Sequence, residues 1–505
     1  MTTSAAPRRI WRHPIVLIGL TEAGYLLYFH VVASAPHSAW LFRWLPFGSW
    51  VARGPVEVAL FYTGCVGALF LLYGVLLRDL WRRPGLPRQA AAVFGGALLF
   101  ALTLLLQPVL LSKDLFDYMG HGHLMTVYGA NPYTTPADAF PQDQFTQVMG
   151  WRAATPLYGP VWASLCGLLA LVGRSHLLAT AVLFKLFFIL IHLLNGLLIF
   201  WIARRWETPD AGSGSPRAVF AAAFYLWNPL VLTQTAGDGH NDGVALTWLL
   251  LGIWLLQRRD VVTGAATAAM SVLVKYVTAP VVLLMATSIY RQEGKQKTAV
   301  FLAICAVVAG VAYAPYFSGF QPAHFLRPYE HSSYQGSLMM MVELVVGQVI
   351  PGANEPGSPL ASVLLVISIV AAACFALWFI RAWVRTQTLR DSVENGGWAL
   401  LLYLLFVTAL LRTSYLVWIV GLAALAACAT LRRTVALFSL TVLALEVLWV
   451  WRILLPAPPP GINAQRFAAS AVALGVPILY LLLQFRAKLI GLLPGLKRFR
   501  DRTAA

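Results

Sequence analysis

The feature that most constrains this chain is the recurrence, from one end to the other, of apolar runs near 20 residues long, separated by short polar connections. About 20 apolar residues in a helix cross the ~30 Å hydrocarbon core of a bilayer. Within that layer the backbone must satisfy its own hydrogen bonds, which restricts spanning segments to helices or closed barrels. Runs of this length, in a chain that is 59% hydrophobic and only 11% charged, specify helices. The expectation is an all-α, polytopic transmembrane helix bundle. The first run, 14–33, is followed by many more of the same kind, so it reads as a retained span rather than a signal peptide.

A formal net charge of +17 raises the question of nucleic acid. The placement of the charges answers it. Of 37 basic residues, 26 fall in short clusters between apolar runs: Arg8 to Arg12, Arg78 to Arg88, Arg204 to Arg217, Arg258/Arg259, Arg291 to Lys297, Arg381 to Arg390, Arg432/Arg433 and a tail from Arg486 to Arg502. Basic loops of this kind mark the cytoplasmic side, so the excess reports topology and attraction to anionic lipid rather than a nucleic-acid partner. The five cysteines all lie inside apolar runs without a CxxC pair, which speaks against a disulfide framework or a zinc site.

The clusters then fix the threading. Runs near 14–33, 56–77 and 91–112 leave the chain outside at Lys113, and the next cytoplasmic anchor is Arg204/Arg205. An odd number of crossings must join them, so 161–173, short for a span, is expected to be interfacial and 177–202 to cross. The run 262–290 reads as two half-length helices around Lys275. In all, about fourteen crossings are expected, with both ends in the cytoplasm. The expected units are N-terminal helices (1–112), an external loop with interfacial helices (113–176), helices carrying a Gly-His-Asn-Asp turn and Lys275 (177–317), a second external loop (318–357), and C-terminal helices with a basic tail (358–505). No fixed-period repeat is evident, which weakens an inverted-repeat transporter.

Polar residues concentrate on one side of this scheme. On a helix, Asp114, Asp117, Tyr118 and His121 share one face at the mouth of a span. A carboxylate there can take a proton from an attacking hydroxyl; solvated acids near a helix N-terminus would look the same. The segment Tyr128 to Tyr133 contains an Asn131-Pro132 turn, which either ends that helix or contacts a ligand. Trp151 to Pro160 combines headgroup-level aromatics, Tyr158 among them, with Arg152, one of few external cations. Asn228-Pro229 breaks an apolar run and leads to the turn Gly239-His240-Asn241-Asp242. Lys275 stands at membrane depth, where a basic residue is a site candidate. Lys185 and Arg412 are weaker candidates of that kind, and Glu22, His192 and Glu446 read as satisfied polar groups in the bundle.

The ordered blocks Ser112-x-Asp114-xxx-Tyr118-xxx-Gly122, Gly129-x-Asn131-Pro132-Tyr133, Trp151-Arg152-xx-Thr155-Pro156-x-Tyr158-Gly159-Pro160, Asn228-Pro229 and Gly239-His240-Asn241-Asp242 resemble the polyprenol-phosphate-mannose-dependent α-(1→6)-mannosyltransferases of the GT-C superfamily. By motif the resemblance covers about 90–330. It implies a GT-C type membrane bundle, a polyprenyl-phosphate sugar donor and a catalytic acid in the first external loop, which by position is Asp114. Where the family often carries a basic residue after the glycine matching Gly122, this chain has His123.

The expectation is therefore a hexosyltransferase of the cell membrane, working on the non-cytoplasmic face by inverting displacement. Asp114 serves as base with Asp117 beside it. Its substrate contacts are drawn from Tyr118, His121, His123, Asn131, Tyr133, Arg152, Tyr158, His240, Asn241, Asp242, Lys275 and Arg327. The partners are the lipid-phosphate donor, a glycolipid or glycan acceptor, and membrane lipid. No metal-ligand spacing appears, and no cofactor is expected. A transporter or flippase of a lipid-linked solute would explain the spans and Lys275 but not polar groups gathered at one face. A ligase using a pyrophosphate carrier would call for more external arginine.

Overall fold

The computed structural model describes residues 14–33, 55–83, 88–105, 107, 109, 112–207, 215–318, 335–350, 359–454 and 461–492. Of these, 84% are helical and none form a strand. The N-terminal helices are α1 (Pro14–Ala33), α2 (Pro55–Arg82) and α3 (Gln89–Leu105). The polar segment carries α4 (Asp114–Tyr128), α5 (Gln144–Val148) and α6 (Pro160–Gly173). The middle of the chain forms α7 (Leu177–Arg205), α8 (Pro216–Leu226), α9 (Pro229–Leu232), α10 (Asp242–Gln257), α11 (Val261–Val274), α12 (Ala279–Glu293) and α13 (Lys295–Tyr313). The rest comprises α14 (Leu338–Val349), α15 (Pro359–Arg385), α16 (Leu389–Leu402), α17 (Leu416–Leu425), α18 (Ala429–Thr441), α19 (Leu443–Leu454) and α20 (Ile462–Leu492).

Seven helical stretches among the described residues are long and apolar enough to cross a bilayer: Pro14–Ala33, Val56–Arg82, Leu177–Arg205, Lys295–Tyr316, Ser362–Arg385, Ala429–Arg452 and Asn463–Arg486. The other apolar runs are built as shorter helices of 10–17 residues, among them Gln89–Leu105, Pro216–Leu226, Asp242–Gln257, Val261–Val274 and Thr413–Leu425. Continuous hydropathy does not reveal where a run is cut. In Lys295–Tyr316 and Ser362–Arg385 only 6% of the most apolar window is buried, so these helices offer their sides to lipid. α17 is the opposite case: every residue from Leu416 to Leu425 is buried, as expected for a helix apolar all round and enclosed by others.

The cuts have local causes. Asn228 accepts the N–H groups of Leu230 and Val231 and so caps α9, with Pro229 at its first position. Thr233 to Gly237 then form one π turn, in which the Asp238 N–H reaches the Thr233 carbonyl at 2.7 Å. Single π turns inside helical runs are frequent at functional sites. Gly239 takes φ +74°, a conformation favouring glycine, and turns the chain into α10. The helical path breaks again at Lys275, whose backbone is extended between α11 and the short turn Tyr276–Thr278. α4 ends on Gly129 at φ 64° in the left-handed cap conformation. It lies close enough against α6 that a methyl at Gly122 would overlap the Cys166 carbonyl.

Candidate functional site

Asp114 opens α4, and its N–H bonds the Ser112 hydroxyl at 3.1 Å. Its carboxylate Oδ2 gathers three groups from distant parts of the chain. His240 Nδ1 lies at 3.3 Å, the Tyr158 hydroxyl at 3.4 Å and the Tyr118 hydroxyl at 3.5 Å. Tyr118 is one turn along α4, Tyr158 precedes α6, and His240 lies in the turn before α10. The carboxylate stays 24% exposed, so a small hydroxyl can reach it. Burial works against its ionisation. The hydrogen bond and charge of His240 outweigh that, with Ser112 and Lys275 adding to them, and hold the carboxyl well below the usual range. His240 is correspondingly pushed up, Asp114 outweighing the burial that opposes its charge.

Behind Tyr158 lies a second charged centre. Lys275 Nζ donates to Asp242 Oδ1 at 2.7 Å, and its ammonium stands 5.6 Å from the centre of the Tyr158 ring. Tyr158 thus joins the acid at the start of α4 to the cation between α11 and α12. Its placement depends on Gly159, whose N–H bonds the Val274 carbonyl at 3.2 Å and where a methyl would overlap the Leu273 carbonyl. The ammonium also lies 4.7 Å from the Tyr415 ring and 5.0 Å from the Trp418 ring. Tyr415 directly precedes α17 and Trp418 lies in its first turn, and sequence reading passed over both. The only signal was Thr413-Ser414-Tyr415 directly after Arg412 in an apolar run, which cannot be told from headgroup anchoring.

The other expected residues fall into distinct places. Asp117 Oδ1 accepts the N–H groups of Gly150 and Trp151 at 2.8 and 3.0 Å, so it pins the loop before Tyr158. Burial pushes its carboxyl up to about 7, the two N–H bonds opposing and Asp114 assisting. His121 is buried, and burial takes its imidazole down to about 4. His123 bonds Asp143 at 3.1 Å and stacks on Phe145 at 4.0 Å. Asn131 donates to the Tyr316 and Ser318 carbonyls at 3.3 and 3.2 Å and accepts the Tyr133 N–H. Tyr133 in turn donates to the Tyr158 carbonyl at 2.9 Å. Arg152 is exposed and donates to the Gln147 carbonyl. Asn241 is fully buried, and neither atom of its amide has a hydrogen-bond partner. Arg327 lies outside the described residues.

The structure therefore brings together Asp114, Tyr118, Tyr158, His240, Asp242 and Lys275. It sets Asp117, Asn131 and Tyr133 as supports of the Trp151–Tyr158 loop, and ties His123 and Arg152 to neighbouring loop groups. Lys185 donates to the Leu104 and Gln107 carbonyls at 2.9 and 2.6 Å. His192 bonds Leu226 and Thr235, and Glu446 accepts from Tyr62 and Gln234. Among the described residues no group of His, Cys, Asp or Glu is arranged to hold a metal ion.

The site thus offers a partly open carboxylate, a lysine–aspartate ion pair and aromatic rings, groups that suit a hydroxylated substrate, and comparison with known proteins points to a sugar. A segment of the chain is 25% identical over 167 residues to alpha-(1→6)-mannopyranosyltransferase A of Corynebacterium glutamicum. That match covers 33% of this chain and spans about a third (32%) of the relative's length. Residues 17–291, more than half of the chain, match the family described as alpha-(1→6)-mannopyranosyltransferase, N-terminal domain. Asp114, Tyr118, Tyr158, His240, Asp242 and Lys275 all lie within that reach, and the chain belongs to the alpha-(1→6)-mannopyranosyltransferase family.

Proposed function

We propose that the protein moves mannose from a polyprenyl-phosphate carrier to a hydroxyl of a lipid-linked or glycan acceptor, on the non-cytoplasmic face of the cell membrane and with inversion at the anomeric carbon. The observation that carries this reading is the pairing of Asp114 with His240, one tyrosine away from Lys275 and Asp242. The acceptor oxygen forms a bond to the anomeric carbon from the side opposite the phosphate. The bond from that carbon to the phosphate oxygen breaks, and its electron pair leaves with the polyprenyl monophosphate. The acceptor proton passes to Asp114, which its surroundings keep ionised and available. A low-pKa carboxylate suffices here, because the hydroxyl becomes strongly acidic as its oxygen bonds to carbon. Lys275 and His240 face the charge that grows on the departing phosphate.

Two features support a single-sided site. Gln144, in the 113–176 segment, donates to the Ser175 carbonyl at 2.7 Å. Asn131 of the same segment reaches the Tyr316 and Ser318 carbonyls at the far end of α13. The residues just after α6 and just after α13 thus share polar partners on one segment, which supports a scheme in which α6 stays at the interface. The reading is tested by incubating membranes containing the protein with a panel of radiolabelled polyprenyl-phosphate sugars. Transfer from the mannosyl donor above the other sugars is expected; transfer only from a nucleotide sugar would overturn the donor.

A further inference from the structure

We propose that Tyr415 and Trp418 are positioning residues for the Lys275 ammonium, so that the C-terminal half of the chain sets the affinity of the site for the carrier phosphate. The inference deepens the reading above and rests on its assignment of Lys275 as a phosphate partner. Both residues lie beyond the part of the chain that matches the family, 17–291.

The two rings lie nearly parallel, 5.0 Å apart with 16° between their planes, and both stand within 5.0 Å of Lys275 Nζ. With Tyr158 and Asp242 they enclose the ammonium on several sides. An aromatic face attracts a cation without neutralising it. Asp242 anchors the lysine and offsets much of its charge; the rings fix the ammonium's other sides without adding a second counter-charge.

Hydrogen bonding does not account for the tryptophan. Trp418 is 2% exposed, and its Nε1–H is buried without a partner, a desolvation cost that phenylalanine would avoid. Its ring, the strongest aromatic partner for a cation, does account for it. The segment bearing the rings is also fixed to the turn bearing His240 and Asp242. Thr413 donates to Gln234 Oε1 at 3.1 Å, and Gln234 Nε2 donates to Glu446 at 2.7 Å and to Asp238 at 3.4 Å. Gln234 lies in the π turn that leads to His240. The C-terminal helices thereby hold the cation and its counter-ion in one register.

The test uses the full chain in nanodiscs, with a polyprenyl monophosphate as binding probe and mannosyl transfer as second readout. Trp418→Leu is expected to weaken probe binding roughly three- to thirtyfold, the span of cation–π energies, and to raise the donor KM more than it lowers kcat. Trp418→Phe, which keeps a ring face, should recover part of the loss. In a Lys275→Met background Trp418→Leu should add no further loss. Unchanged binding in Trp418→Leu, or the same loss with and without Lys275, overturns the proposal and leaves Trp418 a packing residue. If the unaltered protein binds no polyprenyl monophosphate, the donor reading fails by itself. The cage is then judged by amine labelling of Lys275. Faster labelling in Trp418→Leu shows that the rings enclosed the ammonium, and an unchanged rate overturns their role.

Discussion

Asp114 and Asp117 stand one helical turn apart, and their surroundings push them in opposite directions. Asp114 faces His240 and, further off, Lys275, and is held down; Asp117 is sunk beneath the Gly150–Trp151 backbone and is pushed up to about 7. The shift of Asp117 carries a consequence for stability. Its folded value is raised, so its contribution is fully present below the ordinary value of 3.8 and is lost as pH rises through about 7. Asp117→Asn keeps an oxygen for the two N–H groups and removes the titration. Thermal melting against pH should show a gap in favour of the variant that opens between about pH 4 and 7; parallel curves would contradict the burial account. A second prediction concerns Gly159. A methyl there overlaps the Leu273 carbonyl, backbone that cannot rotate away. Gly159→Ala should therefore destabilise by about 1–3 kcal/mol and displace Tyr158, read as a lower Tm together with lost transfer. Sequence spacing put Asp114 and Asp117 on one face, but which neighbour each carboxylate meets is set by segments far along the chain. The opposite shifts were not legible for that reason.

At the scale of elements, the helix break at Lys275 was legible, because a cation inside an apolar run must find partners. The partners were not. Asp242 lies 33 residues away in sequence, and Tyr415 and Trp418 come from another part of the bundle. Aromatic residues in an apolar run read as lipid anchors whether they face lipid or a buried ammonium. The break at Asn228-Pro229 was visible too, but its meaning is local: the asparagine caps α9 and bonds Ser439 at 3.2 Å. The expected effect of Lys275→Met is a higher donor KM or lost turnover in a folded protein. Donor kinetics on the purified variant check it, and normal turnover would return Lys275 to a structural ion pair with Asp242.

Across the whole molecule, hydropathy specified a helical bundle with helices long and apolar enough to cross a membrane. The number of crossings was less legible, since 218–257 is cut both by the Asn228–Pro229 cap and by the polar turn before α10, and neither cut gives the depth at which the helices end. The one-sided segment makes a topological prediction. Gln144 and Ser175 share a hydrogen bond, so a cysteine placed at Ser175 should label from the same face as one placed at Gln144. Labelling of position 175 from the cytoplasm alone would move α6 across the membrane and break the scheme.

The central claim is that Asp114 takes the acceptor proton. Asp114→Asn keeps the shape of the side chain and removes the base, and losing a general base costs about 10²–10⁴-fold in rate. Sugar transfer and polyprenyl monophosphate binding on the purified, monodisperse variant test this together. Transfer should collapse while binding is retained; full transfer by Asp114→Asn would remove Asp114 from the role of base.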